Sequence, residues 1–305
     1  MKNSGIVLAE LPRAGLGNKM LVWAQAEIFG HINSLKVYST NWVALHIGPY
    51  LRKEKNKRFY YGYVKVLPLL DRLKLVFYKT FCNNIVEPEI KKINGTQSNN
   101  IYIFNKFPHD SDFFKEIRNH RSFIKDAIYS SLISEKVKEE LDTCKSPEIG
   151  VHVRMGDFRN LNSNESWKND SALRTPLSYF INQIENISVF TGKMVKVTLF
   201  SDGHTEELKP ILALPNLEIS TMKSDMADLL LLSKSKVIIT SFDSTFGYWS
   251  AFLSDAIIFH FSSSKHIPLR TPELNNRSFE GIVEDDMRQW PEELKSALES
   301  CNFKR

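Results

Sequence analysis

Short apolar runs recur along the chain, and helix-like stretches separate them. Ile6-Val7-Leu8-Ala9 leads into a glycine turn, after which Met20, Trp23, Ala24, Ala26 and Phe29 recur at the helical period over Lys19 to Asn33. Further runs at Leu35–Tyr38, Ile101–Phe104, Ile149–Val153, Val195–Phe200, Val237–Thr240 and Ala256–His260 predict strands. Helical patterns fall near 113–127, 131–142, 177–188, 205–213 and 225–234. Strand and helix in alternation predict an α/β architecture with parallel sheets. The polar, proline-bearing segment Thr143–Pro147 reads as a linker, which divides the chain into domains over 1–145 and 146–305.

Composition narrows the class. With 305 residues, 42% of them hydrophobic and 25% charged, the chain can bury a core, which excludes a disordered chain, a fibre or a small disulfide scaffold. The net charge of +5 suits phosphorylated ligands or an anionic membrane surface and does not single out nucleic acid. Cys82, Cys144 and Cys301 are far apart with no CxxC pair, so neither a zinc site nor a disulfide framework is expected, and a reducing compartment fits. Arg52–Arg58, RKEKNKR, followed by Phe59, Tyr60, Tyr61 and Tyr63, reads either as a contact with anionic headgroups or as a solvated helix end.

Three segments carry candidate chemistry. Arg13-Ala14-Gly15-Leu16-Gly17-Asn18-Lys19-Met20 lies between a predicted strand and helix, where glycines admit a ligand to the backbone and a helix N-terminus favours phosphate. It lacks the third glycine of a dinucleotide fingerprint and the Gly-Lys-Ser/Thr of a P-loop, and a plain tight turn would use the same residues. In Ile149–Phe158, IGVHVRMGDF, the period of two puts His152 and Arg154 on one face of a strand that breaks at Gly156. An arginine at the carboxyl end of a parallel strand is placed to clamp a pyrophosphate; the plainer reading pairs it with Asp157 and leaves His152 in the core. In Met226–Trp249, Ser244 and Thr245 follow a β-branched strand and precede a helix, so hydroxyl and amide donors converge as for phosphate oxygens. Alternatively Ser244 is an ordinary cap and Asp228 a first-turn acid.

In this order and spacing, over roughly residues 13–260, the chain resembles the α-1,2-fucosyltransferases of bacterial type and their α-1,6- and protein-O-fucosyltransferase relatives. AGLGNKM is similar to the family's Gly-Gly-Leu-Gly-Asn-Gln-Met, VHVRMGDF to its His-Val-Arg-Arg-Gly-Asp-Tyr, and MADLLLLSKSKVIITSFDSTFGYWSAFL to its Asp-Leu-Leu-Leu-Met-Ser…Asn-Ser-Thr-Phe-Ser-Trp-Trp-Gly. FPHDSDFFKEIR, TPLSYF and LFSD resemble intervening landmarks. The resemblance implies the GT-B fold, two Rossmann-like domains facing each other across a cleft. It implies an inverting transfer of L-fucose from GDP-β-L-fucose with no metal or other cofactor. Carried over by position, Arg154 binds the diphosphate, His152 lies by the nucleoside, and Asp228 accepts from guanine. Asp202 joins the donor-binding set, Ser244, Thr245 and Phe246 close around the phosphates, and Gly15, Gly17 and Asn18 approach from the other domain. The chain departs from the pattern at Ala14, Lys19, Met155 (the family's second Arg) and Gly247-Tyr248.

For the catalytic base, Asp157 is the first candidate and Glu165 the second. Asp110-Ser111-Asp112 has the Asp-x-Asp spacing of a metal site, but Lys106–His109 separate it from the preceding strand, so Asp112 reads as a helix cap and no metal is expected. The expected partners are a nucleotide-sugar donor and an acceptor oligosaccharide, lipid-linked in the membrane reading of Arg52–Arg58, with no nucleic acid. With no signal peptide or membrane span in the sequence, the expected setting is cytoplasmic, at the inner face of a bacterial membrane, in surface polysaccharide (O-antigen) synthesis with an α-1,2 linkage. Alternatives are a transferase of the same fold using another nucleotide sugar, or a non-catalytic nucleotide- or carbohydrate-binding subunit.

Overall fold

The computed structural model describes residues 5–43, 47–51, 59–94, 99–108, 112–162, 165–167, 172–262, 267–275 and 278–303. The chain divides into two compact units, Met1–His46 with Arg58–Lys138, and Ile47–Lys57 with Glu139–Arg305. Each unit has its own all-parallel sheet.

In the first unit β1 (Ile6–Glu10), β2 (Lys36–Thr40), β3 (Asn83–Val86) and β4 (Asn100–Phe104) are ordered β2-β1-β4-β3. β1 is central, which explains its unbroken apolar run: a strand covered on both faces has no polar side to show. The helix Leu16–Asn33 begins three residues before the expected Lys19, with Gly15 at its N-cap, and ends at Ser34 in the left-handed conformation (φ 53°). The helix Leu69–Phe81 has Leu75 as its buried residue, set against Ile6, Leu8, Tyr38, Ile101 and Ile103.

In the second unit β5 (Ile149–Val153), β6 (Val197–Ser201), β7 (Leu217–Ile219), β8 (Val237–Ile239), β9 (Ile257–His260) and β10 (Glu280–Ile282) are ordered β10-β9-β8-β5-β6-β7. The first strand is thus central, and the chain builds outward on one side before returning to build on the other. That reversal leaves a crevice between the carboxyl ends of β5 and β8, the place where open α/β sheets bind ligands. β5 is buried throughout, and the helix Asp225–Leu232 comes so close to it that a Cβ on Gly150 would stand 2.5 Å from Leu232 Cδ1. Fully buried Arg270 ties the far edge of this sheet together through Glu280 and the carbonyls of Ser254, Ala256 and Phe279.

Expectation and structure differ in places. The helix expected over 113–127 is a turn at 113–117, a 3-10 turn Arg118–His120 and a short helix Arg121–Ala127. Asp112 accepts from Phe114 N–H and pairs with Arg118, so the local polar groups close turns instead of a continuous helix. The strand expected from Val195 starts at Val197, and β3, β7, β10 and the helix Leu69–Phe81 lie outside the expected set. Among the described residues no helix is long and apolar enough to cross a membrane.

Candidate functional site

Strand β5 ends at Val153, and the next four residues form a loop built around one carboxylate. Asp202, at the carboxyl end of β6, accepts from Met155 N–H (2.8 Å), Gly156 N–H (3.2 Å) and Arg154 Nη1 (2.5 Å). A Cβ on Gly156 would stand 2.4 Å from Asp202 Oδ2, so this approach of backbone to carboxylate requires glycine. Arg154 Nη2 donates to Asp157 at 2.5 Å, and the guanidinium lies over the Phe158 ring. A guanidinium has five N–H donors; the two carboxylates engage one on each terminal nitrogen, which leaves Nε–H and a second hydrogen on each. The two acids orient the fork without exhausting it.

The loop after β8 is joined to this one. Ser241 Oγ donates to the His152 carbonyl and accepts from Arg154 N–H, both at 2.8 Å. Thr175 Oγ1 receives Phe242 N–H at 2.7 Å, and Arg174 Nε donates to the carbonyls of Met155 and Phe158 while its Nη1 pairs with Glu207. A cavity of about 510 Å³ adjoins Met155, lined among others by Trp167, Arg174 and Glu207.

Helix Thr245–Leu253 starts at this crevice, and its first three N–H groups have no partner within the helix. Ser244 is its N-cap residue by position, yet its buried side chain makes no cap hydrogen bond. Asp243 precedes it in the left-handed region (φ 49°), its N–H donating to Tyr248 Oη and its carboxyl pushed up by burial against a hydrogen bond from Ala172. The His152 ring is buried and stacked on Phe246 with centroids 4.9 Å apart, and its Nδ1 has no hydrogen-bond partner among the described residues. Burial lowers its pKa to about 3, opposed by the charge of Asp202 and assisted by that of Arg154, so all three share one neighbourhood. A Cβ on Gly247 would stand 2.9 Å from His152 Nδ1, so a larger residue there would have to displace the ring. The structure therefore brings together Arg154, Asp157, Asp202, His152, Ser244, Thr245 and Phe246.

The second unit's other candidates, Asp228 and Glu165, have different hydrogen-bond partners. Asp228, in the first turn of Asp225–Leu232, accepts from Ser220 Oγ at 2.5 Å beyond the end of β7. Glu165 accepts from Arg159 and Asn162 N–H, and these bonds, Arg159 first, hold its carboxyl down at about 2. In the first unit, Gly15 has an ordinary negative φ (−64°) and open space where a Cβ would be, so neither backbone nor packing of this chain demands glycine. Gly17 is buried one residue into the helix, and buried Asn18 Oδ1 lacks a hydrogen-bond partner among the described residues. Arg52–Arg58 and Asp110-Ser111 lie outside the described residues.

Two other departures from the family pattern, Met155 and Lys19, are buried side chains. Met155 is buried in the second unit's core, so position 155 supplies no second cation to the loop. Lys19 is buried and its Nζ donates to the carbonyls of Asn41 and Trp42, with burial lowering its pKa to about 8. Ser241, Asp243, Arg174 and Thr175 were not singled out by sequence. Ser241 and Asp243 lie within a recognised segment, whereas the loop-tying role of Arg174 leaves no local pattern.

The sequence profile of Glycosyl transferase family 11 matches residues 65–263. Among solved structures, NodZ α-1,6-fucosyltransferase co-crystallized with GDP is similar at 13% identity, covering 87% of this chain and 97% of that one, with a TM-score of 0.50. POFUT1 in complex with GDP has 10% identity, 86% and 99% coverage and a TM-score of 0.50. The fucosyltransferase NodZ from Bradyrhizobium has 14% identity, 87% and 98% coverage and a TM-score of 0.49. No curated protein matches the chain. At such identities the likeness is one of fold, that of the GT-B glycosyltransferases, whose two Rossmann-like sheets the chain reproduces. With motifs, fold and profile in agreement, the chain belongs to Glycosyl transferase family 11, a family of α-fucosyltransferases.

Proposed function

We propose that this protein transfers L-fucose from GDP-β-L-fucose to a hydroxyl of an acceptor glycan, with inversion at the anomeric carbon. The observation that carries the proposal is Arg154 at the sheet's reversal point, oriented by Asp202 and Asp157 with donors to spare, beside the N-terminus of Thr245–Leu253 and the buried Ser244 hydroxyl. Cleavage of the sugar–phosphate bond leaves negative charge on the departing GDP. A pre-oriented guanidinium, a hydroxyl and helix N–H groups stabilise that charge as it develops. The GDP held by NodZ and by POFUT1 in the similar structures supports the choice of nucleotide.

The residues would then divide the work as follows. Arg154 neutralises the diphosphate, with Ser244, Thr245 and Phe246 closing around it, and His152 in its neutral form packs beside the nucleoside. Asp228 accepts from the guanine N–H groups. In the first unit, Gly15, Gly17 and Asn18 are the residues assigned to donor binding. Asp157, on the loop that carries Arg154, takes the acceptor proton in this reading, since Glu165, held by both Arg159 and the Asn162 N–H, is too weak a base at a pKa of about 2. The reaction uses no metal, because the cations it requires are on the protein. The linkage is α-1,2, the acceptor a lipid-linked surface polysaccharide, and the setting the cytoplasmic face of the membrane.

Incubation of purified protein with radiolabelled GDP-fucose and candidate acceptor glycans tests this. Transfer from GDP-fucose, in preference to UDP- and CMP-sugars, is the expected result. Turnover with a different nucleotide sugar, or nucleotide binding with no release of sugar, would overturn it.

A further inference from the structure

The helix Leu69–Phe81 turns its apolar side outward. Leu69 (71% exposed), Leu70 (71%), Leu73 (60%), Val76 (64%), Phe77 (56%) and Phe81 (64%) all face solvent, while Leu75 is buried and Tyr78 packs beside it. At 3.6 residues per turn the six exposed side chains fall within an arc of about 140°, along a helix about 20 Å long. Single exposed apolar residues are ordinary, but a stripe of six on one helix, with Thr80 the one polar residue inside the arc, marks a surface that meets something apolar.

The charges bordering the stripe narrow the partner. Arg72 and Lys79 flank one margin of the arc and Lys74 the other, with Lys36 beside Asp71. Asp71 pairs with Lys36 and Lys74, and Glu10 with Lys79, so four cations face two carboxylates and the patch is positive. An apolar arc with basic margins is the pattern of a helix lying in a membrane interface, its ring and aliphatic groups among the acyl chains and its cations at the headgroups. A second copy of this chain fits less well: in a two-fold pairing of the stripe, basic margins would oppose basic margins.

We infer that the Leu69–Phe81 face docks this protein onto an anionic lipid bilayer. The inference stands on this helix and the charges that border it and does not depend on donor chemistry or on Arg52–Arg58. It places the first unit against the surface from which a lipid-carried substrate could be taken.

Flotation of the full purified chain with vesicles of phosphatidylcholine, or of phosphatidylcholine with an equal share of phosphatidylglycerol, tests it. Binding to the anionic vesicles is expected, weakened by added salt. The double variant Leu73→Glu/Phe77→Glu should bind at least about tenfold more weakly, with melting temperature and GDP binding unchanged. Arg72→Gln/Lys74→Gln, which leaves the apolar stripe intact, should weaken binding to the anionic vesicles only. Failure of the wild type to float with anionic vesicles would overturn the inference. So would a dimer in sedimentation velocity that the glutamate variant converts to monomer, because a second copy would then cover the face.

Discussion

Replacing Asp202 by asparagine isolates what holds Arg154 in place. The carboxylate accepts three hydrogen bonds, from two loop amides and the guanidinium, with side-chain exposures of 13% for Asp202 and 20% for Arg154. Asparagine keeps the shape, and its carbonyl oxygen can still receive the Met155 and Gly156 amides. Its NH2 group then faces Arg154 Nη1, donor against donor, so the charge-assisted bond is lost. A hydrogen bond to a charged group contributes about 2 kcal/mol, which corresponds to a fall in Tm of about 4–8 °C for a unit of this size. With one of its two anchors gone the guanidinium samples other orientations, and kcat/KM should fall about 10–100-fold. Asp202→Ala, which also strands both amides, should cost a further ~1–3 kcal/mol. Thermal unfolding alongside initial-rate kinetics measures both effects. An Asp202→Asn protein that melts within about 1 °C of wild type and keeps its kcat/KM would refute the role given to this carboxylate.

Other substitutions and conditions test neighbouring parts of the site. Gly247→Ala forces a Cβ to 2.9 Å from His152 Nδ1 and should destabilise by about 1–3 kcal/mol in denaturant unfolding; a neutral substitution would mean the contact is relaxed at no cost. His152 has its pKa lowered from 6.5 to about 3, so the unfolded chain takes up a proton that the folded chain refuses. The stability contributed is full above pH ~6.5 and declines toward pH ~3 at up to about 1.4 kcal/mol per pH unit, so His152→Phe should show a shallower acid-side slope in pH-dependent unfolding. Asp157→Asn separates base from brace: loss of kcat with GDP affinity retained supports the base, and weakened GDP binding supports a role in holding Arg154. A chelator should leave the rate of fucosyl transfer unchanged, and a loss restored by Mn²⁺ or Mg²⁺ would contradict a metal-free reaction.

The sequence exposes those parts of the fold where one strand's surroundings dictate its residues. β1, β5 and β8 are covered on both faces, so they read as apolar runs, interrupted in β5 only by Gly150 and His152, and the chain breaks at Gly15 and Gly156 follow the carboxyl ends of β1 and β5. Residue type alone points to Arg154 and Ser244, because few side chains suit a phosphate at a strand end. What escapes is whatever depends on distant partners. Arg174 ties down the loop after β5 through carbonyls 16 and 19 positions away, and no periodicity records such a bond. Met155 occupies a position where the family pattern has a cation, and it takes the structure, in which Met155 is buried with Gly203 close against it, to show that the site belongs to the core. The period of two does put His152 and Arg154 in one neighbourhood, but it is silent on depth: the ring is buried against Phe246 and the guanidinium lies beyond the strand's end. The helix Leu69–Phe81 inverts the usual rule, with its larger apolar side outward, so pattern reading has no core to assign it to.

Calorimetric titration of wild type and Arg154→Ala with GDP and with guanosine goes straight to the guanidinium. If Arg154 clasps the diphosphate, the variant loses about 100-fold in affinity for GDP, while guanosine, which has no phosphate, binds both proteins alike. Equal GDP affinity in the two proteins would show that the ion pairs of Arg154 with Asp202 and Asp157 serve the scaffold alone.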